Sequence, residues 1–275
     1  AIDTQKRPVL VWLHGGGFVN GNAIEQDGYH GENISRLGNI VFCSLNHRLG
    51  ALGYTHLKAA GGHPASGNVG NLDMVLALEW VKNNIVNFGG DPSNVTIMGQ
   101  SGGGSKVTTL MNMPSAKGLF HKAVVLSGGS LAGVNKEYAE KLGQKVMEEA
   151  GLKNGEIEKL QQISWREYID IADRSVAKMA DEAKRLGIAR GGFSPVADGE
   201  YMNGGAFFAD SNHFSADVPV IICSTFNEQS PSRTDAKLEG ITLAEVEEKI
   251  KPRFGQKSNE IVEAYAKNFP KARPI

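Results

Sequence analysis

The chain has only two cysteines in 275 residues, Cys43 and Cys223. Two thiols build neither a disulfide framework nor a cysteine-rich zinc site. Charge of one sign is also missing, since 29 Lys and Arg stand against 30 Asp and Glu. Without a basic surplus nothing drives the protein onto a phosphate backbone, which argues against a dedicated nucleic-acid binder. No apolar run approaches the roughly 18 residues of a membrane-spanning helix. The longest, residues 9–13 and 218–223, have the length of strands. The start lacks a Met, a charged n-region and a signal h-region. It therefore reads as the beginning of an internal piece of a longer polypeptide, with cytoplasmic and secreted destinations both open. The two cysteines sit inside apolar runs and read as buried free thiols.

What the chain does have is glycine, 34 residues of it, placed at the ends of strand-like runs. Residues 9–13 form a continuous apolar run, as in a strand covered on both faces, and end at His14-Gly15-Gly16-Gly17. Residues 40–45 form a second run. Apolar residues recur at helical spacing over 72–86, followed by a loop signal at Phe88-Gly89-Gly90-Asp91-Pro92. Residues 95–98 and 123–126 read as short strands flanking a small-residue helix over 103–113. Such alternation predicts an α/β protein with a mostly parallel sheet and helices on both faces. Over 136–190 glycine thins and charge rises, which predicts a helical insertion with a solvated face. Ser164/Glu167 and Thr242/Glu245 have capping-box spacing. The expected division is a core over 1–135, the insertion over 136–190, and a return to the sheet with closing helices over 191–275.

Gly99-Gln100-Ser101-Gly102-Gly103 matches Gly-x-Ser-x-Gly. In a chain this rich in glycine the pattern alone is weak. Its setting, after a strand and before a helix, is the one in which a sharp turn lifts a serine hydroxyl above the sheet as a nucleophile. Bare glycines after residues 9–13 let backbone N–H groups approach a reacting oxygen, as an oxyanion site requires. Phosphate binding is the competing use of such loops. Against it, Asn20 stands where a dinucleotide fingerprint needs glycine, and Lys106 falls one place too late for a P-loop with no Ser or Thr after it.

Seven collinear segments carry a closer likeness. They are residues 11–18, 46–53, 67–73, 80–96, the Ser101 turn, 118–123 and 195–199. In these the chain resembles the type-B carboxylesterases, α/β-hydrolases that include cholinesterases and bacterial para-nitrobenzyl esterases. The resemblance implies an α/β-hydrolase fold and a serine carboxylesterase acting on small-molecule esters without metal or organic cofactor. It implies Ser101 as nucleophile, the N–H groups of Gly16, Gly17 and Gly102 as oxyanion donors, Glu228 as the acid and Ser127 close to Glu228. From the residues alone, Glu228 is an isolated carboxylate just after an apolar run, with a plain surface group as the lesser alternative. Gln100 stands where cholinesterases carry an acidic residue, which argues against cationic choline esters. Small residues over 189–193 imply a roomy acyl site.

The order expected in this fold is serine, acid, histidine. None of the seven histidines (14, 30, 47, 56, 63, 121 and 213) follows Glu228. The base is therefore expected outside this chain, which alone would be inactive. The rival readings are a non-catalytic cholinesterase-like interaction module, against which the intact serine turn and glycine loop speak, and a thioesterase or amidase using the same machinery.

Overall fold

The computed structural model describes residues 5–188, 191–208, 214–225, 228 and 235–274. Five parallel strands form one sheet in the order β2-β1-β3-β4-β5. They are β1 (Arg7–Leu13), β2 (Val41–Ser44), β3 (Gly90–Gln100), β4 (Lys122–Leu126) and β5 (Val220–Cys223). Helices cover both faces. Contacts divide the chain into two compact units, residues 1–224 with the sheet and residues 225–275.

The sheet follows from the apolar runs. Val9 to Leu13 are all buried, because β1 is central and covered on both faces. After the short helices α1 (Glu32–Gly38) and α2 (Gly50–Tyr54) come two that pack on the sheet, α3 (Val69–Asn84) and α4 (Gly102–Met111). Met74, Leu78 and Val81 of α3 and Val107 and Leu110 of α4 enter the same core as Val11, Ile97 and Val125 of the strands. Each such side chain, fully buried, contributes about 1.5–3 kcal/mol.

Two strands depart from expectation. β3 begins at Gly90, inside the expected loop. Its pairing with β1 jumps from Arg7↔Gly90 to Val9↔Val95, so residues 91–94 bulge out. Asp91 Oδ1 accepts hydrogen bonds from the Ser93 N–H and hydroxyl, and so closes a turn within the strand. β5 forms from the run expected to be core, yet all four of its residues are exposed. Among the described residues no strand pairs with its outer edge. The cysteines change accordingly: both are free, but Cys43 is half-buried and Cys223 exposed, not buried as expected.

Between β4 and β5 the chain forms α5 (Lys136–Glu149), α6 (Trp165–Lys178) and α7 (Ala180–Arg185). These carry small cores of their own around Val146, Tyr168 and Ile171 and around Tyr138, Leu142 and Met179. Ser164 caps α6 by accepting the Glu167 N–H. In the second unit, Thr242 and Glu245 form the complete capping box at the start of α8 (Leu243–Phe254), ahead of α9 (Lys257–Asn268).

Three of the collinear segments prove to be fastened to one another. Arg48 holds Asp73 with a bidentate pair at 2.9 and 2.7 Å and adds its own N–H at 2.9 Å. Burial alone would raise the Asp73 pKa, but the Arg48 bonds outweigh it and hold the carboxyl below its ordinary value. Asn68, fully buried, donates to Val196 O and to Asp198 while its Oδ1 accepts the Val196 N–H at 3.0 Å. This joins the start of α3 to the segment that precedes β5. Asn68→Ala leaves the buried Val196 N–H without that acceptor, a loss expected to cost about 2–3 kcal/mol. Denaturant unfolding should show a lower midpoint at unchanged m-value; an unchanged midpoint would refute the fastening.

Candidate active site

The chain passes from β1 outward to β2 and from β3 to β4 on the other side. The sheet's switch point therefore lies between β1 and β3, where open α/β sheets form a crevice at their carboxyl ends. Both glycine segments lie there. Leu13 pairs with Gly99, so the loop 14–17 and the serine turn leave adjacent strands at the same level.

Ser101 has φ 56° and ψ −120°, a region that residues with a side chain rarely occupy. Neighbours hold it there. Its N–H donates to Leu126 O of β4 at 2.9 Å, and its carbonyl accepts the Ser105 N–H in the first turn of α4. A β-carbon on Gly128 would lie 2.0 Å from that carbonyl oxygen, so the chain after β4 closes directly over the turn. Ser101 itself is exposed, at the positive end of α4.

Gly16 and Gly17 have φ of 82° and 65°, left-handed values that glycine adopts without strain. A β-carbon on Gly102 would lie 2.1 Å from the Gly17 nitrogen, which places the two backbones in direct apposition. A β-carbon on Gly15 would come 3.8 Å from Ser101 Cβ. The structure therefore brings Ser101, Gly16, Gly17 and Gly102 together.

Glu228 falls in the second unit, exposed, with Oε1 accepting the Thr225 N–H at 2.6 Å. Ser127 also has positive φ, 48°, and its N–H donates to Cys223 O, the last residue of β5. His213 lies outside the described residues.

Five of the six described histidines are engaged elsewhere. His121 Nδ1 accepts the Val95 N–H, and His63 caps a 3-10 turn through the Ala65 N–H. His56 is buried, 3.9 Å from Glu140. His14 and His47 stack at 5.2 Å behind the glycine loop. Each turns Nδ1 toward a carbonyl, Gly15 O at 2.9 Å and Arg48 O at 3.0 Å. A carbonyl cannot donate, so Nδ1 carries the proton in both rings and Nε2 is left bare. Burial foremost, with the nearby Lys106 charge, pushes the His47 pKa down to about 4 and lowers that of His14. Both rings are held neutral.

Sequence reasoning missed Lys106 as part of this site. Its side chain is fully buried beneath the loop. The available signal was a lysine in a helix otherwise made of glycine, small and apolar residues.

Two cavities flank the loop. One of about 330 Å³ is lined by Phe18, Thr109, Gly133, Ile188 and Pro195. The other, of about 650 Å³, is lined by His47, Leu49, Gly191, Gly192 and Phe193. Ala189 and Arg190, the rest of the expected acyl-site segment, lie outside the described residues.

A parallel sheet with a strained serine at its switch point, facing a glycine loop, defines an α/β-hydrolase. The carboxylesterase family profile matches residues 2–267, and the chain belongs to that family. It is 34% identical to the para-nitrobenzyl esterase of Bacillus subtilis over 230 residues, covering 83% of this chain and 45% of that protein. A medium-chain fatty acyl-CoA hydrolase precursor of Anas platyrhynchos is 42% identical, over 54% of this chain and 26% of its own length. The crystal structure of a Geobacillus stearothermophilus carboxylesterase superposes with TM-score 0.77 at 31% identity, covering 99% of this chain and 54% of that one. The chain thus spans about half or less of the relatives it matches. Among the described residues no helix is long and apolar enough to cross a membrane.

Proposed function

We propose that the protein hydrolyses carboxylic esters of small molecules through a serine acyl-enzyme. The observation that carries this is Ser101, held in a strained turn against the Gly16–Gly17 backbone at the sheet's switch point. Ser101 Oγ attacks the ester carbonyl. The carbonyl oxygen becomes an oxyanion held by the N–H groups of Gly16, Gly17 and Gly102. The alcohol leaves with a proton, and water then releases the acid by the same route in reverse. Glu228 orients the histidine that carries these protons, a histidine that is none of the seven in this chain. Support for this comes from the order of groups in this fold and from the chain spanning about half of its relatives. For Ser127 the support is the family resemblance, and its N–H donates to Cys223 O at the end of β5. Glycines 191 and 192 on a 650 Å³ cavity support an acyl site larger than acetyl needs.

A thioester substrate is the second reading. Its support is the likeness to a fatty acyl-CoA hydrolase precursor, and the same elbow serves any acyl transfer.

The test is a fluorophosphonate probe on the full-length protein, with para-nitrophenyl esters from acetate to hexanoate and an acyl-CoA as substrates. A phosphonate adduct mapped to Ser101, with ester turnover that persists through hexanoate, is expected. Absence of the adduct would favour the non-catalytic module, a steep fall after acetate would remove the roomy acyl site, and acyl-CoA turnover alone would establish the thioester reading.

A further inference from the structure

Lys106 has no part in the mechanism above, yet it is the fully buried lysine directly beneath the oxyanion loop. Its Nζ donates to His14 O at 2.8 Å and lies 3.4 Å from Gly15 O. No carboxylate pairs with it at salt-bridge distance among the described residues; backbone carbonyls hold it instead. Those two carbonyls open the loop, and each belongs to a peptide whose other end is a loop N–H.

Gly15 C=O and Gly16 N–H form one peptide unit. In a trans peptide the two groups point in opposite directions. Fixing the Gly15 carbonyl inward, toward α4, therefore aims the Gly16 N–H outward. Gly15 O accepts the His14 Nδ1–H at 2.9 Å as well, so two donors draw on the same oxygen. Withdrawal of electron density from a carbonyl oxygen strengthens the N–H of the same peptide as a donor, by about 10–30% per bond in a chain of hydrogen bonds.

We propose that Lys106 is a positioning residue that pins the loop carbonyls of His14 and Gly15 and thereby aims and polarises the Gly16 oxyanion donor. Its role in turnover rests on the ester-hydrolase reading; the pinning of the loop does not. The charged and titratable groups facing it are His14 and His47, both neutral, and Glu25 at longer range. Burial pushes the Lys106 pKa down to about 7, with Glu25 opposing. The pinning charge is accordingly present below about pH 7 and lost above it.

The test compares the full-length protein with Lys106→Met and Lys106→Gln. Met has similar volume and no donor, whereas Gln keeps a donor without a charge. Expected for Met is a kcat about tenfold lower with KM within twofold, less than the 10²–10³ lost when an oxyanion donor is removed outright. Gln falls between. Both variants lose the alkaline decline that the wild type shows above about pH 7. The melting temperature of the Met variant changes little, because removal of a buried charge offsets the loss of the donor to the two carbonyls. Amide exchange in the peptide spanning residues 14–18, corrected for intrinsic rate, is at least tenfold faster in Lys106→Met.

A kcat within threefold of wild type, or a loss of kcat that tracks a fall in melting temperature, would overturn the catalytic part. Unchanged exchange at residues 14–18 would overturn the pinning itself. A wild type that takes no phosphonate and turns over no ester would instead be the failure of the ester-hydrolase reading. The exchange measurement still decides the pinning in that case.

Discussion

Replacing Ser101 with glycine is expected to stop ester turnover and to make the fold more stable. A nucleophile acting as one unit with its base costs about 10⁶-fold in kcat when removed, and the remaining oxyanion donors supply only a residual rate. The stability change has the opposite sign because of the backbone. Ser101 sits at φ 56°, ψ −120°, a conformation that costs about 1–3 kcal/mol for a residue with a β-carbon. Glycine relieves that strain and gives back about 0.5–1 kcal/mol as unfolded-chain entropy. The net gain is about 1 kcal/mol, read as a higher denaturant midpoint. Ser101→Ala is the control, since it removes the hydroxyl but keeps the β-carbon and hence the strain. Turnover should vanish in both variants, and stability should rise in the glycine variant alone. Equal midpoints for the two would mean that the turn stores no strain.

The serine turn was legible in the sequence because its geometry requires particular residue types at adjacent positions. A strand, a serine and flanking glycines leave few other folds available. β1 was legible for a similar reason, as a continuous apolar run of the kind covered on both faces. Other features depend on partners far apart in the chain. The Asn68–Val196 bonds join residues 128 apart, and Arg48–Asp73 joins residues 25 apart. No periodicity marks such pairs; they stood out as segments through family resemblance, without a visible role. The bulge at residues 91–94 was half legible. Phe88-Gly89-Gly90-Asp91-Pro92 announced a loop, but not that the strand would pair on both sides of it. β5 shows the limit of hydrophobicity as a guide. Val220-Ile221-Ile222 reads as core, yet Ile222 is 73% exposed, because burial depends on what packs over a strand as well as on its own side chains. Lys106 was seen in the sequence as a failed phosphate-binding lysine. That reading asked what it could offer a ligand, whereas its neighbours in the fold are the carbonyls of its own chain.

Gly103→Ala is expected to be among the most damaging of the single-methyl changes. A β-carbon there would lie 2.0 Å from Leu13 O and 3.1 Å from His14 O, both backbone atoms. Neither can swing aside as a side-chain tip would. Leu13 is tied into the sheet by its pairing with Gly99, and His14 O is held by Lys106. Ordinary overpacking costs about 1–3 kcal/mol when side chains and backbone can shift. Here the yielding element must be β1 or α4 itself, so a loss of about 3 kcal/mol or more is expected. On the proposed mechanism, whatever folded protein remains should be nearly inactive, since the displaced atoms carry the glycine loop proposed to hold the oxyanion. Gly28→Ala supplies the comparison, because nothing lies within 4 Å of a β-carbon at that position; its midpoint should stay within about 0.5 kcal/mol of wild type. Similar midpoints for the two variants would sink the argument. Gly99 has the reciprocal constraint, a β-carbon there falling 2.4 Å from the Gly103 carbonyl. The two outer glycines of the Gly-x-Ser-x-Gly motif thus mark where β1, β3 and α4 meet backbone to backbone, and that contact fixes the serine between them.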